Sequence, residues 1–145
     1  FCLSRGLGDV YKRQTQQTAE WNAEKAQQIV QSVIDAGTPF NVIYAENDDM
    51  AKGAVAALDK ANISHGVGKD VIVMGFDCNK WALEELKAGN WNYDGQCNPF
   101  QASYIDDIIK KLENGETISE KTIIMDEKGF DATTITQEDV DNYGI

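Results

Sequence analysis

Across residues 22–37 the apolar side chains recur at Ala26, Ile29, Val30, Val33 and Ile34, the spacing of one face of an α-helix. Asn22 suits its N-cap, and Gly37 with Pro39 stops it. The pattern then changes. "FNVIYA" (40–45) is a short apolar run of strand length, and "DDMAKGAVAALDKANI" (48–63) returns to helical spacing through Met50, Ala54, Ala57, Leu58 and Ala61. After the loop "SHGVGKD" the order repeats. "VIVMGF" (71–76) predicts a strand, "NKWALEELKAG" (79–89) a helix capped by Asn79 and ended by Gly89, and "NWNYDGQ" (90–96) a weaker strand. "PFQASYIDDIIKKLENGE" (99–116) predicts a helix opened by Pro99 and closed by Asn114 and Gly115, and "TIIMDE" (122–127) a strand. "TQQTAEW" (15–21) reads as the end of a strand, and "TITQEDVDNYG" (134–144) as a short capped helix. Strands alternating with helices of this length imply right-handed crossovers and a mostly parallel sheet, an α/β fold with helices on both faces.

Length limits this pattern to one domain or a piece of one, since 145 residues build one real core but hardly two. No apolar run approaches the length needed to cross a bilayer. The formal charge of −11, without any Lys/Arg cluster, makes nucleic acid an unexpected partner for this segment. Cys2, Cys78 and Cys97 lack metal-ligand spacing, and His65 is the single histidine, so no metal site is expected. Cys78 and Cys97 pair only if their strands are neighbours; free buried thiols are the simpler expectation.

The first fourteen residues, "FCLSRGLGDVYKRQ", have neither periodicity nor the apolar core of a signal peptide. Residues 4–14 resemble an in-frame translation of a transposase-type sequencing-library adapter, whose end encodes Asp-Val-Tyr-Lys-Arg-Gln. Residues 1–14 are therefore expected to be non-native and are set aside from fold reasoning. On this reading the native N-terminus, with any signal peptide, is missing from the chain.

In an open α/β sheet the binding crevice lies at the carboxyl ends of the strands. Four strand ends carry suggestive side chains: Trp21 with Asn22, Asn47 with Asp48, Asp77, and Gln96 with Asn98. An indole beside carboxylate and carboxamide groups suits a sugar, whose C–H face packs on the ring while its hydroxyls take charge-assisted or paired hydrogen bonds. Each residue also has a plainer role. Asn47 or Asp48 suits the cap of the second helix, Asp77 suits a turn, and Trp21 suits the core, as do Trp81 and Trp91. Four aligned strand ends are more than capping alone requires.

Enzyme constellations are missing from the sequence. His65 falls in a loop away from the strand ends, and no G-x-S-x-G elbow, P-loop, G-x-G-x-x-G turn or EF-hand loop is present. Asp48, Asp49 and Asp77 are the nearest approach to a metal or acid/base carboxylate cluster. No catalysis and no cofactor are expected.

"QTAEWNAEKAQQIVQSVIDA" (17–36), "VIYAENDDMAKGAVAAL" (42–58), "DVIVMGFD" (70–77), "GQCNPFQA" (95–102) and "KKLENGE" (110–116) resemble, in order and spacing, the C-terminal half of type I periplasmic sugar-binding proteins of ABC importers. These are the receptors of ribose, galactose and galactofuranose type. The resemblance covers residues 15–145. It implies two α/β lobes joined by three crossovers and closing on a pentose or hexose, with ABC permease membrane subunits as partners and a periplasmic or cell-surface location. It implies that residues 15–98 are an incomplete C-terminal lobe, that 99–118 form a crossover helix packing on the N-terminal lobe, and that 119–145 return as strand and tail. Trp21 becomes the aromatic against the sugar, and Asn47 and Asp77 the hydroxyl-binding pair, leaving Asp48 to start the helix and Asp49 in solvent. At the last crossover the family often has Gln-Asn-Pro where this chain has Cys97, Asn98 and Pro99. Strand alternation puts Gln96 and Asn98 on one face, so Gln96 is favoured and Asn98 second. The resemblance further implies an exposed apolar face of Phe100, Tyr104, Ile108 and Leu112 in this chain alone. The rival resemblance is to the effector-binding core of a LacI-type transcriptional repressor, which would carry a helix-turn-helix upstream.

Overall fold

The computed structural model describes residues 15–145. The adapter-like head, with Cys2, lies outside the described residues. The elements in chain order are α1 (Ala23–Asp35), β1 (Val42–Tyr44), α2 (Asp48–Lys60), β2 (Ile72–Asp77), α3 (Lys80–Lys87), β3 (Tyr93–Gln96), α4 (Ala102–Glu113), β4 (Gly129–Asp131) and α5 (Gln137–Tyr143). The strands form one sheet in the order β1-β2-β3-β4, parallel through the first three, with β4 antiparallel at the edge. This is the mixed α/β lobe that the alternating pattern predicts, but among the described residues helices cover one face of the sheet and not both, and Val42, Tyr44 and Ile72 on the other stay exposed.

Local chemistry accounts for most boundaries. Asn22 caps α1 by accepting the Lys25 N–H at 2.9 Å, and Gly89 takes a left-handed φ of +80° just past α3. Thr136 and Asp139 close a reciprocal capping box at the start of α5. Asn79 departs from expectation, because it makes no side-chain cap bond to α3. Its amide instead donates to Asp48 Oδ2 at 3.0 Å, a partner that the linear sequence does not reveal.

Three further expectations are corrected. "TQQTAEW" contains no strand, for Glu20 and Trp21 both have positive φ and form a turn into α1. The helix expected from Pro99 starts at Ala102, because Asn98 first closes an Asx-type turn, Oδ1 accepting the Phe100 N–H at 2.8 Å. "TIIMDE" is not a strand, and Ile124 is 86% exposed. An apolar β-branched run becomes a strand only where a partner offers a ladder, and the chain pairs further on, where Phe130 aligns with Asp94 and enters the core.

Leu58 of α2, Leu83 and Leu86 of α3, Val73 of β2, Trp91 and Val140 of α5 are the centre of the core. Each buried leucine contributes about 1.5–3 kcal/mol. Ala26, Val30 and Ile34 turn α1 onto this cluster, and Trp91 meets Trp81 edge-on with ring centroids 5.9 Å apart. α1 crosses α2 at Gly53, where any Cβ would fall 2.0 Å from Ala23 O. On the sheet's other face Val42, Tyr44 and Ile72 stay exposed, while Phe76 packs between Tyr44 and Tyr93 at centroid distances of 5.1 and 6.4 Å.

Candidate functional site at the strand ends

The parallel register sets the frame. Asp77 and Gln96 are Cα partners at the carboxyl ends of β2 and β3, and Asn47 follows β1 at the same end of the sheet. Asp77 and Gln96 are half-buried. Gln96 is tied to the incoming β4 segment: its N–H donates to Lys128 O at 2.8 Å, and Lys128 N–H returns to Gln96 Oε1 at 3.2 Å.

Asn47 is the N-cap of α2, its Oδ1 accepting the Met50 N–H at 2.8 Å. Capping engages the carbonyl oxygen alone, and Nδ2 has no partner among the described residues. The plain and the ligand-facing roles are therefore compatible in one side chain. Asp48 also differs from a simple first helical residue. It is fully buried, and its Oδ2 accepts both the backbone N–H of Asn79, at 2.8 Å, and that residue's side-chain amide.

These bonds hold an unusual turn. Asp77 and Cys78 have φ of +123° and +62°, a conformation costing about 1–3 kcal/mol per non-glycine residue. Asp48 grips the turn from both directions: its carboxylate takes the Asn79 donors, and its backbone N–H serves the Asp77 carboxylate. On the far side Cys78 O accepts the Ile145 N–H at 3.1 Å, and Lys80 N–H donates to Ile145 O at 3.0 Å. Burial raises the Asp77 carboxyl above the ordinary range, against the lowering effect of the Asp48 N–H, and the charge of Asp49 adds to the rise.

Trp21 is 69% exposed with a φ of +59°. It is therefore not a core residue, whereas Trp91 is buried and Trp81 partly so. α1 begins two residues after Trp21, and its first residue, Ala23, lies against Gly53 of α2. Asn98 is half-buried and engaged in its turn, its N–H donating to Glu127 Oε1 at 2.7 Å. Asn47, Asp77 and Gln96 thus share one rim, and Asn98 lies one step beyond it.

Cys78 and Cys97 are free; Cys78 is buried as expected, and Cys97 is exposed, because it follows the last residue of β3. Burial first, then the charge of Asp94, pushes the Cys78 thiol up, away from any nucleophilic role. His65 bridges Asn90 O at 2.9 Å and Asp59 Oδ1 at 3.0 Å in its loop. Among the described residues no group of three or more His, Cys, Asp or Glu is placed to hold a metal. Sequence reasoning missed one pair, Asp48 and Asp94, both fully buried. Its only signal is an acidic residue at an inward position of the weak strand "NYDGQ".

A rim of polar strand ends on a parallel α/β lobe coincides with what comparison finds. Residues 6–116 match the family model of the periplasmic binding protein domain, and the chain belongs to that family. The fructose import binding protein of Bifidobacterium longum is 32% identical over 128 residues, 87% of this chain and 37% of the relative. The ribose import binding protein of Bacillus subtilis is 33% identical over 73 residues, 50% of this chain and 22% of the relative. Among solved structures, an Actinobacillus succinogenes solute binding protein with bound D-allose superposes with a TM-score of 0.70 at 29% identity, over 88% of this chain and 42% of the other. The Caulobacter myo-inositol binding protein gives 0.72 at 28% identity, over 92% and 43%. The chain thus spans less than half the length of these relatives.

Proposed function

We propose that this chain is the larger part of the C-terminal lobe of a solute-binding protein that takes a pentose or hexose between two lobes and delivers it to the membrane subunits of a carbohydrate ABC importer, outside the cytoplasm. The observation that carries this reading is Asp77 beside Gln96, in register at two parallel strand ends, with Asn47 on the same rim. Carboxylate and carboxamides there take paired sugar hydroxyls, and Trp21 offers its face to the ring's C–H groups. Binding and lobe closure are the whole task; no bond of the sugar is made or broken, so the protein is not an enzyme.

The reading also accounts for α4. Phe100 is 70% exposed, and Tyr104 and Leu112 are exposed beside a hollow lined by Ile108, Leu112, Ile118 and Ile123. An apolar surface of this extent fits residues 99–118 as a crossover that packs on an N-terminal lobe, with 119–145 returning to this one. Residues 1–14 remain, on this reading, adapter-derived. Calorimetric titration of the whole protein with a panel of pentoses and hexoses tests the proposal. One sugar should bind, and Asp77→Ala and Asn47→Ala should each cost roughly 1–3 kcal/mol of affinity. Failure of every sugar in the panel, or unchanged affinity in both variants, would remove the assignment.

A further inference from the structure

Beneath the rim two carboxyl groups meet without a cation. Asp48 opens α2, and Asp94 on β3 points to the helix-covered face, opposite Gly75 of β2. Gly75 makes the approach feasible, since a Cβ there would lie 2.7 Å from Asp48 Oδ1. Both aspartates have 0% exposure. Asp48 Oδ2 is satisfied by the two Asn79 donors, and Asp94 Oδ1 faces the Cys78 thiol at 3.8 Å. Asp48 Oδ1 and Asp94 Oδ2, by contrast, are buried with no donor at all. The titratable groups acting on the pair are each other and Asp77 at the end of β2, while the Cys78 backbone N–H bonds to Asp94; no Lys, Arg or His is among them. From β4 the neighbour of Asp94 is the apolar Phe130.

Two carboxylates buried in contact cannot both stay ionised. A single proton between them removes one charge and supplies the missing donor, satisfying both orphan oxygens at once. We propose that Asp48 and Asp94 share one proton, and that this protonated pair is the latch holding Asn79, and with it the left-handed Asp77–Cys78 turn, against the start of α2. Asp48 and Asp94 are then positioning residues for the rim, whichever ligand the cleft takes.

Burial, and next the charge of Asp48, push the Asp94 carboxyl up to about 8. Burial likewise raises Asp48, opposed by its bonds from Asn79. A carboxyl whose folded value lies above its unfolded one stabilises fully below about pH 4, loses that contribution as pH rises, and levels off above about 8. Asp94→Asn keeps an N–H donor toward Asp48 but has no proton to lose. Urea unfolding of the whole protein across this window should show the wild-type unfolding constant rising with pH more steeply than the variant's, by about tenfold per pH unit per proton. Parallel profiles would overturn the shared proton. Should Asp94→Asn fail to fold, carboxyl 13C NMR of the unaltered protein decides. An Asp94 carbon that titrates near pH 8, with the Asn79 amide resonance moving at the same midpoint, supports the latch. A carbon already ionised by pH 5 overturns the proposal, and an Asn79 amide indifferent to the Asp94 midpoint overturns the latch.

Discussion

The two faces of the sheet are made from similar residues and differ in completeness. On one, Val73, Leu58, Leu83 and Trp91 are sealed beneath α2, α3 and α5. On the other, Val42, Tyr44 and Ile72 have the composition of an interior without its burial, and Phe100 just before α4 and Leu112 within it are exposed in the same way. Apolar content by itself therefore does not define a core; what matters is whether an opposing element removes the surface from water. The covered face can hold this segment together, while the open one leaves its apolar side chains in water.

Substitutions can break or sharpen that contrast. The largest effect should come from Trp91→Ala, which empties the centre of the covered face and should cost about 3–5 kcal/mol in urea unfolding. A loss below 1 kcal/mol would mean that this face is no more finished than the other. Gly53→Ala forces a methyl group into the α1–α2 crossing at Ala23 and should cost about 1–3 kcal/mol, read as a lowered melting temperature. Asn47→Ala removes the cap of α2 and should cost about 1 kcal/mol of stability, separately from the loss of affinity proposed above. Ile72→Ser on the open face should change the stability of this segment by less than about 0.5 kcal/mol. A core-sized loss at Ile72 in the whole protein would show that another element covers it there, turning the contrast into a difference between fragment and complete molecule.

The sequence was most legible where a local rule agreed with the tertiary outcome. α2 follows from apolar spacing joined to a capping residue, α5 from its cap, and β2 from a continuous apolar run. "TIIMDE" misled because strand propensity says nothing about an available ladder partner, whereas "GFD" is too short to stand out yet has one. The shared rim of Asn47, Asp77 and Gln96 was legible because strand ends are predictable from strands. The Asp48–Asp94 pair was not, since its two halves lie on different elements and meet only across Gly75. Asn79 shows the same limit: its type and position announce a cap, but a buried carboxylate competes for it and wins.

The chain's three indoles occupy unlike surroundings. Trp91 is buried edge-on against Trp81, whose ring lies 4.7 Å from Lys52 Nζ, while Trp21 stands in solvent. An indole in water emits at longer wavelength than one in an apolar interior, so Trp21 is the red component of the emission and Trp91 the blue. A solute that dries the Trp21 ring shifts the red component toward the blue and leaves buried Trp91 as an internal standard. If Trp21 meets the sugar as proposed, the ratio of the two components follows ligand binding without a dye or fusion.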